Sequence, residues 1–372
     1  MSLASVGTIE RRSMVAPFAE RKTRPVILWA ALGAFFVALQ IYVFSDWILS
    51  GKAVRTPPGP TPVPTFMKIC AVAWGIVGVP ATALVVYHFL IKQWRRAGHL
   101  TLDGMFVIAS ILMYWQDPLS NYFQWSFTYN AYYPNWGSWV ESVPGWMSPN
   151  GHRLAEPPFI MGPIYIYMVF GMMVVGCAVM RKAKSRWPQL GAGGLIAVCV
   201  AFFIVFDAIL EPLFLTTGFY IYVHAIEGWT LFEGRYFQFP IYEPIFWGVC
   251  WAALTCLRYF KDDKGHTIVE RGVDRVGVSA RAKTAVRLLA VVGCTNLIFL
   301  VGYNIPYSWF ALHTSSWPKD ITDRSYLTNG ICGPGTTYAC PGPDVPINRP
   351  GAIHISPDGT LVVPPGAKVP SP

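Results

Sequence analysis

The chain has 372 residues, of which 53% are hydrophobic, 15% aromatic and only 13% charged. A soluble globular domain carries about twice that share of charge, so this composition excludes an ordinary soluble fold and points to a polytopic membrane protein. The net charge is +9, but the densest basic run, Arg258 to Lys283, is interleaved with Asp262, Asp263, Glu270 and Asp274, which excludes a nucleic-acid footprint.

The first 24 residues are polar and include Arg11, Arg12, Arg21, Lys22 and Arg24. No small-residue cleavage site ends the apolar run that follows, so this segment is expected to be a cytoplasmic tail before a retained span and not a secretory signal. Seven apolar segments are predicted as membrane helices. They run from Pro25 to Phe44, Phe66 to Ile91, Thr101 to Phe127, Phe159 to Met180, Leu190 to Thr216, Ile241 to Tyr259 and Ala285 to Ile305. The third has a short clean core, Met105 to Trp115, before Asp117-Pro118 interrupts it. The fold class expected is all-α, a transmembrane bundle of about seven spans occupying residues 25–315, with the lipid bilayer as its first partner.

Basic residues set the orientation. The N-terminal tail and the segments after spans two, four and six hold 19 Lys and Arg, against 8 in the other connections. The positive-inside rule then places the N-terminus in the cytoplasm and the C-terminus outside, in the cell membrane. Residues 316–372 form a Pro/Gly-rich extracytoplasmic tail, irregular or disordered from Pro341 onward. Six of the eight cysteines lie in apolar spans; Cys332 and Cys340 flank GPGTTYA and can close a disulfide if the tail is outside.

The candidate functional residues are acids. Asp207 and Glu211 stand one helical turn apart inside span five, although a charge at the bilayer centre costs about 2.5–3.5 kcal/mol or more. Glu211-Pro212 is matched by Asp117-Pro118 and Glu243-Pro244. At 1.5 Å per residue, Asp117 lies about 24 Å above the cytoplasmic start of span three, and Asp207 and Glu211 about 25 and 31 Å up span five. Glu243 opens the descending span six. All four carboxyl groups are thus expected in the outer third, around one cavity where prolines interrupt the helices.

Two outer segments supply the walls. Asn121, Tyr122, Trp125 and Tyr129 follow Asp117, and Tyr220 and His224 follow span five, with Tyr242 beside Glu243. Singly, such aromatics belong to an interfacial belt. Together they are candidates for binding an apolar small molecule. Crowded carboxyl groups in an apolar cavity cannot all ionise, so the four acids offer both a proton donor and an anion, with no cofactor required. The same group would serve proton-coupled transport, or hold helices together in an accessory subunit.

Missing parts narrow the field. The seven histidines are scattered singly, which excludes a di-iron oxidase of the histidine-box kind and leaves no metal motif. No lysine stands mid-membrane in span seven for a retinal, and there is neither a phosphate-binding loop nor a GxSxG elbow. The glycines of Gly191 to Gly194 open a membrane helix and suit close packing.

The run WQDPLSNYFQWSFTYNAYYPNWGSW at 115–139, PGWMSPN at 144–150, and the DAILEP and YEPIFW segments resemble the AveC-type spirocyclase family of actinobacterial membrane proteins. The likeness extends over roughly residues 25 to 315. It implies a cofactor-independent enzyme that closes a dihydroxy-ketone polyketide into a spiroketal, in some members with a dehydration. On chemical grounds Glu211 or Asp207 is expected to be the acid, Asp117 and Glu243 to stabilise a cation or accept a proton, and Asn121, Tyr242 and His224 to orient hydroxyls. The sequence leaves the natural substrate and the oligomeric state open.

Overall fold

A computed structural model describes residues 25–313 and 316–367. The basic tail expected over residues 1–24 lies outside the described residues. Seven helices occupy the predicted apolar segments: α1 (Pro25–Leu49), α2 (Thr65–Ala97), α3 (Leu102–Ile111), α4 (Pro158–Arg186), α5 (Ala192–Thr216), α6 (Glu243–Tyr259) and α7 (Ala280–Phe310). Among the described residues, α1, α2, α4, α5 and α7 are long and apolar enough to cross a membrane. α3 and α6 are not: α6, at the expected sixth span, has 17 residues. The α-helical stretch of α3 stops at Ile111, where a 3-10 turn, Tyr114–Asn121, replaces the rest of the expected third span. The polar Gln116-Asp117 pair and Pro118, which lacks an N–H, account for that early end.

α1 and α7 cross at two glycines. A Cβ on Gly33 would run into the Leu289 carbonyl, and one on Gly293 into the Trp29 carbonyl, so the two backbones touch where a side chain would stand. α2 is the opposite case, with only Met67 and Gly78 buried along Thr65–Val85. Three helices contain a π turn: Val86–Ile91 in α2, Tyr165–Val169 in α4 and Leu300–Asn304 in α7.

The all-α expectation misses three short antiparallel ladders. β1 (Phe127–Tyr129) pairs with β2 (Tyr220–Tyr222), β3 (Thr230–Leu231) with β4 (Phe239–Pro240), and β5 (His354–Ile355) with β6 (Leu361–Val362). The first joins the two long aromatic segments, in the register Phe127↔Tyr222, Thr128↔Ile221, Tyr129↔Tyr220. Because side chains alternate along a strand, this ladder separates two cores. Tyr129 and Tyr222 belong to the core of the helix bundle. Ile221 belongs to a second core, with Val63, Met67, Trp125, Leu154, Ile321 and Leu327.

That second core is a cap. It is built from the α1–α2 connection, both aromatic segments and the chain after α7, where α8 (Lys319–Thr322) and α9 (Ser325–Thr328) form short helical turns. These are the four segments that the basic-residue count assigns to one side. Cys332 and Cys340 are disulfide-bonded within it. The tail after Pro341, expected as irregular or disordered coil, is irregular apart from the β5–β6 ladder, and is anchored by polar contacts that a search for apolar runs does not see. Asn348 is fully buried and donates to the Ala339 carbonyl, and Arg349 donates to the Phe123 carbonyl at 2.6 Å.

Candidate active site

A cavity of about 800 Å³, its mouth included, lies beneath the β1–β2 ladder. Phe127, Tyr129, Tyr220 and Tyr222 occupy the ladder positions that share one face, and all four line it. α2 contributes Trp74, α4 contributes Met161 and Tyr165, α5 contributes Asp207 and Glu211, α6 contributes Trp247 and Trp251, and α7 contributes Phe299 and Tyr303. Asp117 enters from the 3-10 turn.

The acids form two groups on this one cavity. Carboxylate oxygens of Asp207, Glu211 and Glu243 lie within 4.8 Å of one another, and the three residues are 3%, 5% and 0% exposed. Their spacing on the chain explains the meeting: Asp207 and Glu211 are i and i+4 on α5, and Glu243, at the first turn of α6, faces them. Tyr220 and Tyr222 donate to Glu211 Oε1 at 2.9 and 2.5 Å, and Tyr303 donates to Glu243 Oε1 at 3.3 Å. One buried oxygen of each acid has no hydrogen-bond partner.

Asp117 is the second group. It accepts from Tyr129 at 2.7 Å on Oδ2 and from Tyr165 at 2.8 Å on Oδ1. Each of its two oxygens thus has a phenol partner. Its neighbouring acid is Glu156, not the three-carboxyl group.

Among the described residues, no ion pair reaches any of these acids. Arg258 is held by Asp103 through two hydrogen bonds of 2.9 and 3.0 Å, and Arg287 by Glu270 at 2.7 Å. Three carboxyl groups this close, with no cation partner among the described residues, repel one another when charged. Their spacing would also admit a divalent cation, and no other such group occurs among the described residues.

Asp117, Asp207, Glu211, Tyr129 and Tyr220 therefore line one cavity, with Glu243 directly behind the first line of acids. The remaining sequence candidates are elsewhere. Asn121 Oδ1 accepts from the Ser126 and Phe127 amides and shapes the turn into β1. Tyr122 donates to the Gly145 carbonyl at 2.9 Å, and Trp125 to the Pro149 carbonyl at 2.8 Å. His224 is 1% exposed, and burial pushes its imidazole down to about 3, so it is neutral. Tyr242 packs against Phe310 with ring centroids 4.7 Å apart and planes tilted by 39°. These five do not line the cavity. Depth along a helix fixes height but not direction, so position in the sequence does not separate these five from the residues that line the cavity.

Four residues of the site were not selected. Tyr222 differs from Tyr220 by one strand period, and alternation alone would have included it. Tyr165 and Tyr303 are tyrosines inside apolar spans, each within a π turn, a feature enriched at functional sites. Glu156 is followed by Pro157, the same dipeptide signal that marked the other acids.

A family model described as spirocyclase AveC-like matches residues 94–327. Neither the curated proteins nor the solved structures contain a match to the chain.

Proposed function

The chain belongs to the AveC-like spirocyclase family, and from that premise we propose that it is a cofactor-independent membrane cyclase forming a spiroketal from an apolar dihydroxy-ketone. It resides in the cell membrane with seven crossings, N-terminus inside and the cap outside. One observation carries this reading: Asp207 and Glu211, backed by Glu243, and a separate, phenol-clamped Asp117 line one aromatic cavity, and no ion pair reaches these acids among the described residues.

The chemistry follows from that division. A hydroxyl adds to the ketone while Glu211 or Asp207 protonates the carbonyl oxygen and then takes up the attacking hydroxyl's own proton, giving a hemiketal and restoring the acid. The same acid group then protonates the hemiketal hydroxyl, which leaves as water, and the resulting oxocarbenium ion is attacked by the second hydroxyl. That hydroxyl's proton returns to a carboxylate, so the net change is loss of one water. Asp117 supplies the negative charge that the cation needs in a low-dielectric cavity, and the faces of Trp247, Phe299 and Tyr303 add cation–π attraction. Tyr129, Tyr165, Tyr220 and Tyr222 fix the carboxyl groups and orient hydroxyls, the part expected of Asn121, Tyr242 and His224.

The test is purified protein in lipid nanodiscs incubated with a dihydroxy-ketone. Mass spectrometry should find a product one water lighter, and chelators should leave its rate unchanged because protons, not a cation, occupy the three-carboxyl group. Substrate left intact would refute the reading.

A further inference from the structure

The chain contains four acid–proline dipeptides, at Asp117, Glu156, Glu211 and Glu243, and all four acids gather around the cavity. Glu156 does not line it; it stands behind Asp117. Pro157 and Pro158 remove two backbone donors in succession and keep the chain extended before α4. Leu154, Ala155 and Glu156 are 1%, 1% and 2% exposed, so this stretch is threaded through the interior.

Among the described residues, no ion pair reaches the Glu156 carboxyl group. The groups around it are Asp117 and Tyr114 from the 3-10 turn, Tyr129 from β1 and Tyr165 from the π turn of α4. Its Oε2 is buried without a hydrogen-bond partner. Burial first, and then the neighbouring Asp117, push its carboxyl group well above the ordinary carboxylate range. Such a placement favours the protonated carboxyl group, which is a donor.

We propose that Glu156 is a positioning residue that acts through Asp117: its carboxyl hydroxyl gives Asp117 a third O–H donor, beside Tyr129 and Tyr165, and holds that carboxylate as the anion facing the cavity. The inference rests on the acid/base reading of the cavity. Its consequence is directional in pH. Glu156 is neutral while the enzyme works and ionises only on the alkaline side. There it ceases to donate and sets a second negative charge against Asp117, so turnover falls as the pH rises.

The experiment compares Glu156→Gln with Glu156→Leu. Glutamine keeps a donor but cannot ionise. It should retain more turnover than leucine and abolish the alkaline fall seen in the wild type. Leucine should lower kcat about 10- to 100-fold at neutral pH, the worth of one hydrogen bond to a charged group, with KM little changed. Infrared difference spectra at neutral pH should show a protonated-carboxyl band in the wild type that Glu156→Gln lacks. If that band is not lost, or if both variants fall equally with the alkaline limb in place, the proposal is wrong. If the band is lost but no dihydroxy-ketone turns over, the Glu156–Asp117 pair stands and the cyclase reading fails.

Discussion

At the residue scale, the acids divide by their partners. Glu211 takes two phenol hydrogen bonds and shares its other oxygen's space with Asp207 and Glu243. Glu211→Gln keeps the shape and removes the transferable proton, so kcat should fall about 10²- to 10⁴-fold while the thermal unfolding midpoint is retained. Asp117→Asn keeps the tyrosine contacts and removes the anion. Its effect should appear in kcat more than in KM, because the cation it stabilises exists only in the transition state and intermediate. Steady-state kinetics separate the two outcomes, and a rise in KM alone would assign Asp117 to substrate binding. Charge in an apolar helix made Asp117, Asp207, Glu211 and Glu243 legible in the sequence. The tyrosines that tell them apart were less so, since a phenol in an apolar span carries no comparable penalty.

At the element scale, the β1–β2 ladder decides what each aromatic segment does. Alternate residues serve opposite cores, so neighbours in sequence should respond differently to change. Ile221→Ala removes packing from the cap, where Ile221 is fully buried, and should cost about 2–5 kcal/mol of stability, read as a lower unfolding midpoint. Tyr220→Phe, one residue earlier, leaves that core intact and removes a donor to Glu211. It should alter turnover with little change in midpoint. Equal stability losses from the two would contradict the two-sided ladder. Helix positions were readable because apolar runs report them locally. The ladder was not, because it pairs residues more than 90 positions apart through strands of three residues, too short for a periodic signal. The end of α3 at Ile111 was half readable: Asp117-Pro118 announced an interruption but not that a 3-10 turn would carry the acid into the cavity.

At the scale of the whole molecule, the four segments that basic-residue counting assigns outside meet in one cap, whose last segment carries the Cys332–Cys340 disulfide. Single cysteines placed at exposed cap positions in a chain lacking its native membrane cysteines should react with a membrane-impermeant maleimide on intact cells. Positions near Lys184 or Lys264 should react only after lysis, and the reverse pattern would invert the orientation. The bundle thus sets acids beneath the cap, and the account's central claim is that protons moving among those acids expel the ketone oxygen. The most direct measurement uses protein in liposomes and a dihydroxy-ketone whose carbonyl carries a heavy oxygen isotope, with wild type and Glu211→Gln side by side. The account predicts that the wild type yields a cyclic product without the label, that the label appears in water, and that Glu211→Gln yields little of either. Labelled substrate recovered unchanged across the membrane, or equal product from both proteins, would contradict it.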